Sequence, residues 1–266
     1  NDTVRSTGDI KTYLNLPTIA TIPDLKNEPL SVLDSALKSP ICELYNKLAT
    51  FIESVMLEQK AKTLLFTSAK AGEGKSTISS NVAIVLAQNG EKVILIDSDL
   101  RKPQFHMIFS LDNSRGLSNI LSGEFDAERK LNGIVNKKAV TIEDYLQKTS
   151  VPNLRVLTSG PVPMNPITLL KSPMLAELTR QFRSMADVVI FDSPPILGVI
   201  DAAILSSTAE LTFLVVTENN VRRPEAAQMK HSLSQVGANI VGVILNKTGF
   251  QPESYYYYYH RYRGYS

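Results

Sequence analysis

Lys75 and Ser76 directly follow Gly72-Glu73-Gly74, and three aspartates, Asp97, Asp99 and Asp192, stand at the ends of apolar runs. An ammonium, a hydroxyl and carboxylates around a glycine-containing turn are what a nucleoside triphosphate and its Mg²⁺ require: donors for phosphate oxygens and oxygen ligands for a hard cation. Gly72 and Gly74 let successive backbone N–H groups converge on phosphates, because no Cβ holds the main chain away. Lys75 supplies a mobile charge for the β- and γ-phosphates, and Ser76 places a hydroxyl where Mg²⁺ needs one. Ala71, Glu73 and Thr77 complete the predicted cradle. The motif departs from GxxxxGK[ST], since Ala69 occupies its first glycine position, but Lys70 gives K-x-G-x-G-K-S-T, a variant with an extra lysine ahead of the glycines.

Those groups need a scaffold. The apolar run 63–66 passes through the glycine turn into a helical pattern over 76–88, the strand, loop, helix order of a phosphate-binding P-loop. Five further apolar runs follow, at 93–96, 154–157, 188–191, 211–216 and 240–245. They are near-continuous rather than alternating, with helical patterns between most of them, at 172–183, 201–206 and 223–234 among others. That predicts an α/β fold, a mostly parallel sheet flanked by helices and buried on both faces. Ligands of such sheets bind at the carboxyl ends of the strands, which is where the three aspartates fall. A lone aspartate at a strand end is ordinarily a turn residue or a cap; three of them beside a P-loop point to a metal-bound nucleotide. Ser76, Asp99 and Asp192 are the metal-ligand candidates, some through water, because Mg²⁺ keeps several waters. Arg101 and Lys102 either neutralise phosphate or form a solvated basic turn. Asn246, after the last run, either recognises the base through its amide or belongs to a plain turn.

The chain has 266 residues, 43% of them hydrophobic, enough for one substantial core. A net charge of +2 gives no electrostatic footprint for nucleic acid. The single cysteine, Cys42, excludes a disulfide framework and suits helix packing. No signal-peptide pattern and no apolar run of membrane-spanning length occurs. The sequence starts at Asn1 without a methionine, so it reads as a piece of a longer protein whose missing part is a candidate for membrane spans. Composition divides it into a proline-punctuated lead-in, 1–39, a nucleotide-binding domain, 40–248, and a tail, 249–266. The lead-in is expected to add an edge strand or a short helix. Ile41, Leu44, Tyr45, Leu48, Phe51, Ile52 and Val55 recur at helical spacing and predict a helix over 40–58, packed on its own core or against another subunit. Residues 116–123 read as a short helix closed by a glycine, 127–148 as a charged excursion from the core, and 159–166 as a rigid proline-rich loop.

The tail contains five consecutive tyrosines, Tyr255, Tyr256, Tyr257, Tyr258 and Tyr259, then Tyr262 and Tyr265. No strand or helix periodicity buries such a run, so an exposed tail is expected. It is a docking tail, a membrane-interface belt or a set of phosphate acceptors. About nine extended residues from Asn246 reach on the order of 30 Å, which brings these hydroxyls within range of a γ-phosphate at the same rim.

Taken together, AKAGEGKST, ILIDSDLRKP, VVIFDSPP, VGVILNKT and the tyrosine cluster resemble the bacterial tyrosine kinases (BY-kinases) of capsular and exopolysaccharide export, related in fold to the MinD/ParA ATPases. The resemblance runs from about Leu14 to the C-terminus. It implies an ATP- and Mg²⁺-dependent protein-tyrosine autokinase in which Lys75 and Ser76 serve the Walker A motif, Asp97 and Asp99 the Walker A′ pair, and Asp192 the Walker B position. The acceptors would be the tail tyrosines, phosphorylated between subunits of a homo-oligomeric ring, with Lys70 contacting nucleotide across the interface or left solvated. It further implies a membrane-embedded chain-length-regulator segment, fused or as a separate activator, at the cytoplasmic face of the bacterial inner or plasma membrane. A phosphotyrosine phosphatase would be a further partner. One departure stands out: the family's E-x-x-R-x-x-R pattern begins at Glu43, but Asn46 and Ala49 fall where its arginines are expected. Assembly would then be weaker or use other contacts. The rival readings are a MinD/ParA-type ATPase switch and a nucleotide-gated scaffold of an export complex.

Overall fold

A computed structural model describes residues 2–24, 40–126 and 140–249. The tyrosine acceptors, Tyr255 to Tyr259, Tyr262 and Tyr265, lie outside the described residues, as does the 127–139 part of the charged stretch.

Eight strands form one sheet: β1 (Thr18–Pro23), β2 (Thr63–Ser68), β3 (Val93–Asp97), β4 (Gln147–Lys148), β5 (Leu154–Leu157), β6 (Val188–Asp192), β7 (Leu211–Thr217) and β8 (Ile240–Thr248), in the order β1-β8-β7-β2-β6-β3-β5-β4. Every pairing is parallel except β4 with β5. Among the described residues the helices that flank the sheet are α1 (Pro40–Gln59), α2 (Lys75–Gln88), α3 (Phe105–Ile108), α4 (Leu117–Leu121), α5 (Pro166–Leu170), α6 (Pro173–Met185), α7 (Asp201–Ser206) and α8 (Arg223–Gln235).

The strand sequences explain the layering. Successive side chains alternate between the faces of a sheet, so Leu64 and Phe66 pack in the cluster beneath α1 and α2, whereas Leu65 joins the cluster formed with α4 and α6. Leu214, Val216, Val243 and Leu245 meet Ala226, Met229 and Leu233 of α8. With helices on both faces the central strands are buried throughout, and each large side chain withdrawn from water contributes about 1.5–3 kcal/mol. Phe66 and Phe213, neighbours on β2 and β7, stack with ring centroids 5.2 Å apart.

The expected strands, the P-loop helix and the helix of α1 are all found. Within α1, Tyr45, Leu48 and Ile52 face the core, Asn46 is exposed and Ala49 is fully buried. The lead-in supplies both kinds of element: a helical turn, Thr7–Asp9, continuing into Ile10–Leu14, then β1 as a parallel edge strand against β8. Ahead of them Val4 is buried and exchanges backbone hydrogen bonds with the segment before α8, to Val221 at 2.8 Å and from Asn219 at 2.9 Å.

Two expectations are corrected. Residues 140–148 are not an excursion: Ile142, Tyr145 and Leu146 are buried, and Gln147 and Lys148 form the far edge of the sheet. Their charged neighbours masked an inward-facing apolar set. The proline-rich loop ends earlier than read, because Asn165 accepts from the Thr168 amide and Pro166 occupies the first turn of α5, where its missing N–H costs nothing.

Candidate functional site

Strand β2 delivers the chain into the glycine turn, and α2 begins at Lys75. Gly74 has φ +86°, and a Cβ there would lie 2.3 Å from Asn246 Nδ2. Only glycine serves at that position, for both its backbone angle and its space. The loop's carbonyls are held from the protein side: Lys247 Nζ donates to Gly72 O at 3.0 Å, Asn246 Nδ2 to Glu73 O at 2.8 Å, and Thr217 Oγ1 to Glu73 O at 3.2 Å. With its carbonyls turned back, the loop presents the arrangement from which amides bind phosphate.

Lys75, Ser76 and the three aspartates come together. Lys75 Nζ lies 3.5 Å from both Asp99 Oδ2 and Asp192 Oδ2, and Ser76 Oγ donates to Asp192 Oδ2 at 2.6 Å. Asp97 and Asp192 are register partners at the ends of β3 and β6, which places two carboxylates side by side. Asp97 Oδ2 accepts from the amides of Gln104 at 2.8 Å and Phe105 at 2.9 Å, while its Oδ1 is buried without a hydrogen-bond partner. Burial, then repulsion from Asp192, pushes the Asp97 carboxyl up to about 7, against the opposing pull of those two amides. Asp192 is likewise raised by burial, with Lys75 and Ser76 opposing. For Lys75 burial works to lower the ammonium, but the carboxylates of Asp192, Asp99 and Asp97 outweigh it and hold the group above its ordinary value. Asp99 Oδ1 accepts from the amides of Arg101 and Lys102, at 3.2 and 2.9 Å, so the turn after β3 is folded around it.

A cavity of about 630 Å³ opens at this rim. Lys70, Ala71, Gly72, Glu73, Gly74, Lys75, Ser76, Thr77, Asp99 and Asn246, the residues expected from sequence to meet nucleotide, lie on its wall. Asp97 and Asp192 do not; both are fully buried behind that wall. All the groups converging on Lys75 and Ser76 are oxygens. No cluster of three or more His, Cys, Asp or Glu in metal-binding geometry occurs among the described residues. That donor set fits Mg²⁺, which takes one or two protein oxygens and completes its shell with water and phosphate.

Four side chains behave differently from the sequence reading. Glu73 points inward, 1% exposed, with its carboxylate accepting from the amides of Lys70 at 2.8 Å and Thr217 at 3.0 Å. Lys70, though partly exposed, is tied down: its ammonium is 2.6 Å from Glu225 Oε2 and 3.3 Å from the Asn220 carbonyl. One N–H of the Asn246 amide is engaged with the loop, which leaves its second N–H and its carbonyl for any contact with a base. Arg101 is not free for phosphate alone either; its Nε and Nη2 fork onto Asp201 at 2.9 and 3.1 Å. Sequence reading missed Ser79, whose hydroxyl lies 3.2 Å from Asp192 Oδ1. Its position three residues after Ser76, one helical turn on, was the available signal. Asp201, one hundred residues from Arg101, offered none.

Comparisons with known proteins identify the family and the fold. A family model described as an AAA domain matches residues 61–239. The tyrosine-protein kinase YwqD of Bacillus subtilis is 39% identical over 222 residues, covering 84% of this chain and 87% of that protein. The kinase domain of the Escherichia coli tyrosine kinase ETK superposes with a TM-score of 0.79 at 27% identity, covering 93% of this chain and 96% of that one. The septum site-determining protein MinD of Pyrococcus horikoshii, solved with Mg-ADP, shares the fold with a TM-score of 0.56 at 22% identity, over 74% of this chain and 76% of that one. No described helix is long and apolar enough to cross a membrane.

Proposed function

This chain belongs to the bacterial tyrosine-protein kinases, and from that premise we propose that it transfers the γ-phosphoryl group of ATP to tyrosine hydroxyls of its own C-terminal cluster, from Tyr255 to Tyr265, on a neighbouring copy. The observation that carries the reading is the meeting of Lys75, Ser76, Asp99 and Asp192 within 3.5 Å contacts at one rim. The same rim receives the end of β8, the strand from which the tyrosine segment continues. We propose further that the kinase regulates polysaccharide polymerisation or export.

In this proposal the loop amides and Lys75 hold the phosphates and neutralise charge that develops on the transferring group, the largest contribution in such reactions. Ser76, Asp99 and Asp192 would hold Mg²⁺, which would supply positive charge to offset that of the phosphates. Asp97 is the proton acceptor. Its unpartnered Oδ1 and a value near 7 suit a base working at neutral pH. Because Asp97 lies behind the wall, it receives the tyrosine proton over an intervening water. A tyrosine hydroxyl near 10 gives up its proton late, as a loose transition state permits.

The chain's partners are proposed to be further copies of itself and a membrane-embedded regulator segment at the cytoplasmic face, with a phosphotyrosine phosphatase resetting the tail. Each phosphate adds nearly two negative charges, so a modified cluster leaves the acidic site and loosens the assembly. The test is incubation of the full chain with ATP and Mg²⁺ followed by mass-spectrometric mapping. Phosphotyrosine within residues 255–265, lost on Lys75→Met, is expected. Released inorganic phosphate over an unmodified tail would instead identify an ATPase switch, and bound, unchanged ATP a scaffold.

A further inference from the structure

Asp201 is a fully buried carboxylate near the rim that the proposed reaction leaves unused. It opens α7, is 0% exposed, and receives both Nε and Nη2 of Arg101, at 2.9 and 3.1 Å. A buried ionised carboxylate is retained only with such a partner, and a two-point fork fixes orientation as well as charge. The partner is not an ordinary structural arginine. Arg101 sits two residues after Asp99 on the cavity wall, and its own amide donates to Asp99 Oδ1 at 3.2 Å. Its guanidinium keeps three N–H donors beyond the two the fork uses.

From this geometry we infer that Asp201 is a positioning residue of the phosphoryl-transfer site: by clamping Arg101 it fixes the turn that aims Asp99 at Lys75 and holds the remaining guanidinium donors at the cavity mouth. The clamp joins two segments that the sheet alone does not tie, the turn after β3 and the segment after β6 that leads into α7. Lys75 lies between the aspartates those two strands deliver, Asp99 and Asp192. A misplacement of about 1 Å in such a constellation costs on the order of 100-fold in rate, so the fork is placed where a small loss of order has a large effect.

The inference rests on the kinase reading, and the experiment separates the two. Initial rates of tail phosphorylation are measured across Mg²⁺ and ATP concentrations for the native chain, Asp201→Asn and Arg101→Lys. Asp201→Asn keeps the shape and loses the charge; Arg101→Lys keeps the charge and loses the fork, at a side chain 36% exposed. Both are expected to lower kcat about tenfold and to raise the Mg²⁺ concentration for half-maximal rate at least threefold. KM for ATP, set by the loop and Lys75, should move less than twofold. The double variant should be no slower than the slower single one. If the native chain phosphorylates its tail and Arg101→Lys leaves the Mg²⁺ dependence unchanged, the inference is overturned while the kinase reading stands. If the native chain forms no phosphotyrosine, the kinase reading falls first. A loss of rate with no change in Mg²⁺ dependence in either variant also overturns the inference, since it would show a structural pair.

Discussion

The inner and outer sides of the phosphate loop carry one lysine each and use it in opposite ways. On the inner side Lys75 is 8% exposed and lies between two carboxylates at 3.5 Å, a contact too long to be a tight ion pair and placed where phosphate oxygens would compete for the same ammonium. On the outer side Lys70 is drawn against Glu225 at 2.6 Å, over a loop anchored through Glu73 to the end of β7. Charge on the inner side is held ready for a ligand, whereas on the outer side it is already satisfied within the fold. In the proposed reading the same residue type, five positions apart, serves the nucleotide in one place and fastens the fold in the other.

The sharpest way to break that contrast is Lys75→Met, which should reduce tail phosphorylation by about 10²–10³-fold with the protein still folded. An equal loss on Lys70→Ala would show that the outer lysine also serves the nucleotide, from a second copy. Next in size is Asp97→Asn, expected to cost about 10²-fold in rate and to abolish a rise of kcat with pH centred near 7. Its stability effect has the opposite sign. The folded-state carboxyl, held at about 7 against an ordinary 3.8, destabilises the fold once ionised, so the native chain loses stability as pH rises from about 4 through 7. Melting curves should therefore show Asp97→Asn more stable by on the order of 10 °C at pH 8 and little different at pH 4. If the variant is less stable at pH 8, the buried charge is better compensated than the unpartnered Oδ1 indicates.

On the outer side, Glu73→Ala leaves the buried amides of Lys70 and Thr217 without an acceptor, and a loss of about 2–3 kcal/mol is expected. Denaturant unfolding reads the stability, and a weakened affinity for a fluorescent ATP analogue reads the loop. The smallest effect belongs to Lys70→Ala. Its ion pair is about one-third exposed, so after screening by solvent it contributes about 0.5 kcal/mol. A melting temperature unchanged within a degree or two, with tail phosphorylation retained, keeps the two sides distinct.

The departure in α1 follows from packing. Ala49, where the resemblance expects the second arginine, is fully buried against the sheet, while Asn46 is exposed and uncharged. Neither offers a guanidinium to a neighbouring copy, and Glu43 is left beside Lys47 at 4.0 Å, one helical turn away.

What the sequence determined by itself is local or periodic. Uninterrupted runs such as Val93-Ile94-Leu95-Ile96 fix buried parallel strands, Gly72 and Gly74 fix the turn, and aspartates at the ends of those runs must lie on the ligand rim, because a strand leaves its side chains no other place to go. The helical spacing of α1 and the break at Gly123 were legible for the same reason. What only the tertiary structure decided depends on residues distant in sequence meeting across the sheet. Glu73 turns inward because Thr217 waits at the end of β7. Lys70 is tied because α8 presents Glu225, and Asp97 gains its elevated value because it is buried and because β3 and β6 pair in register, setting Asp192 beside it. Residue type specifies what a side chain can do; the surroundings that choose among those possibilities, by burial and by partner, exist only once the strands are ordered.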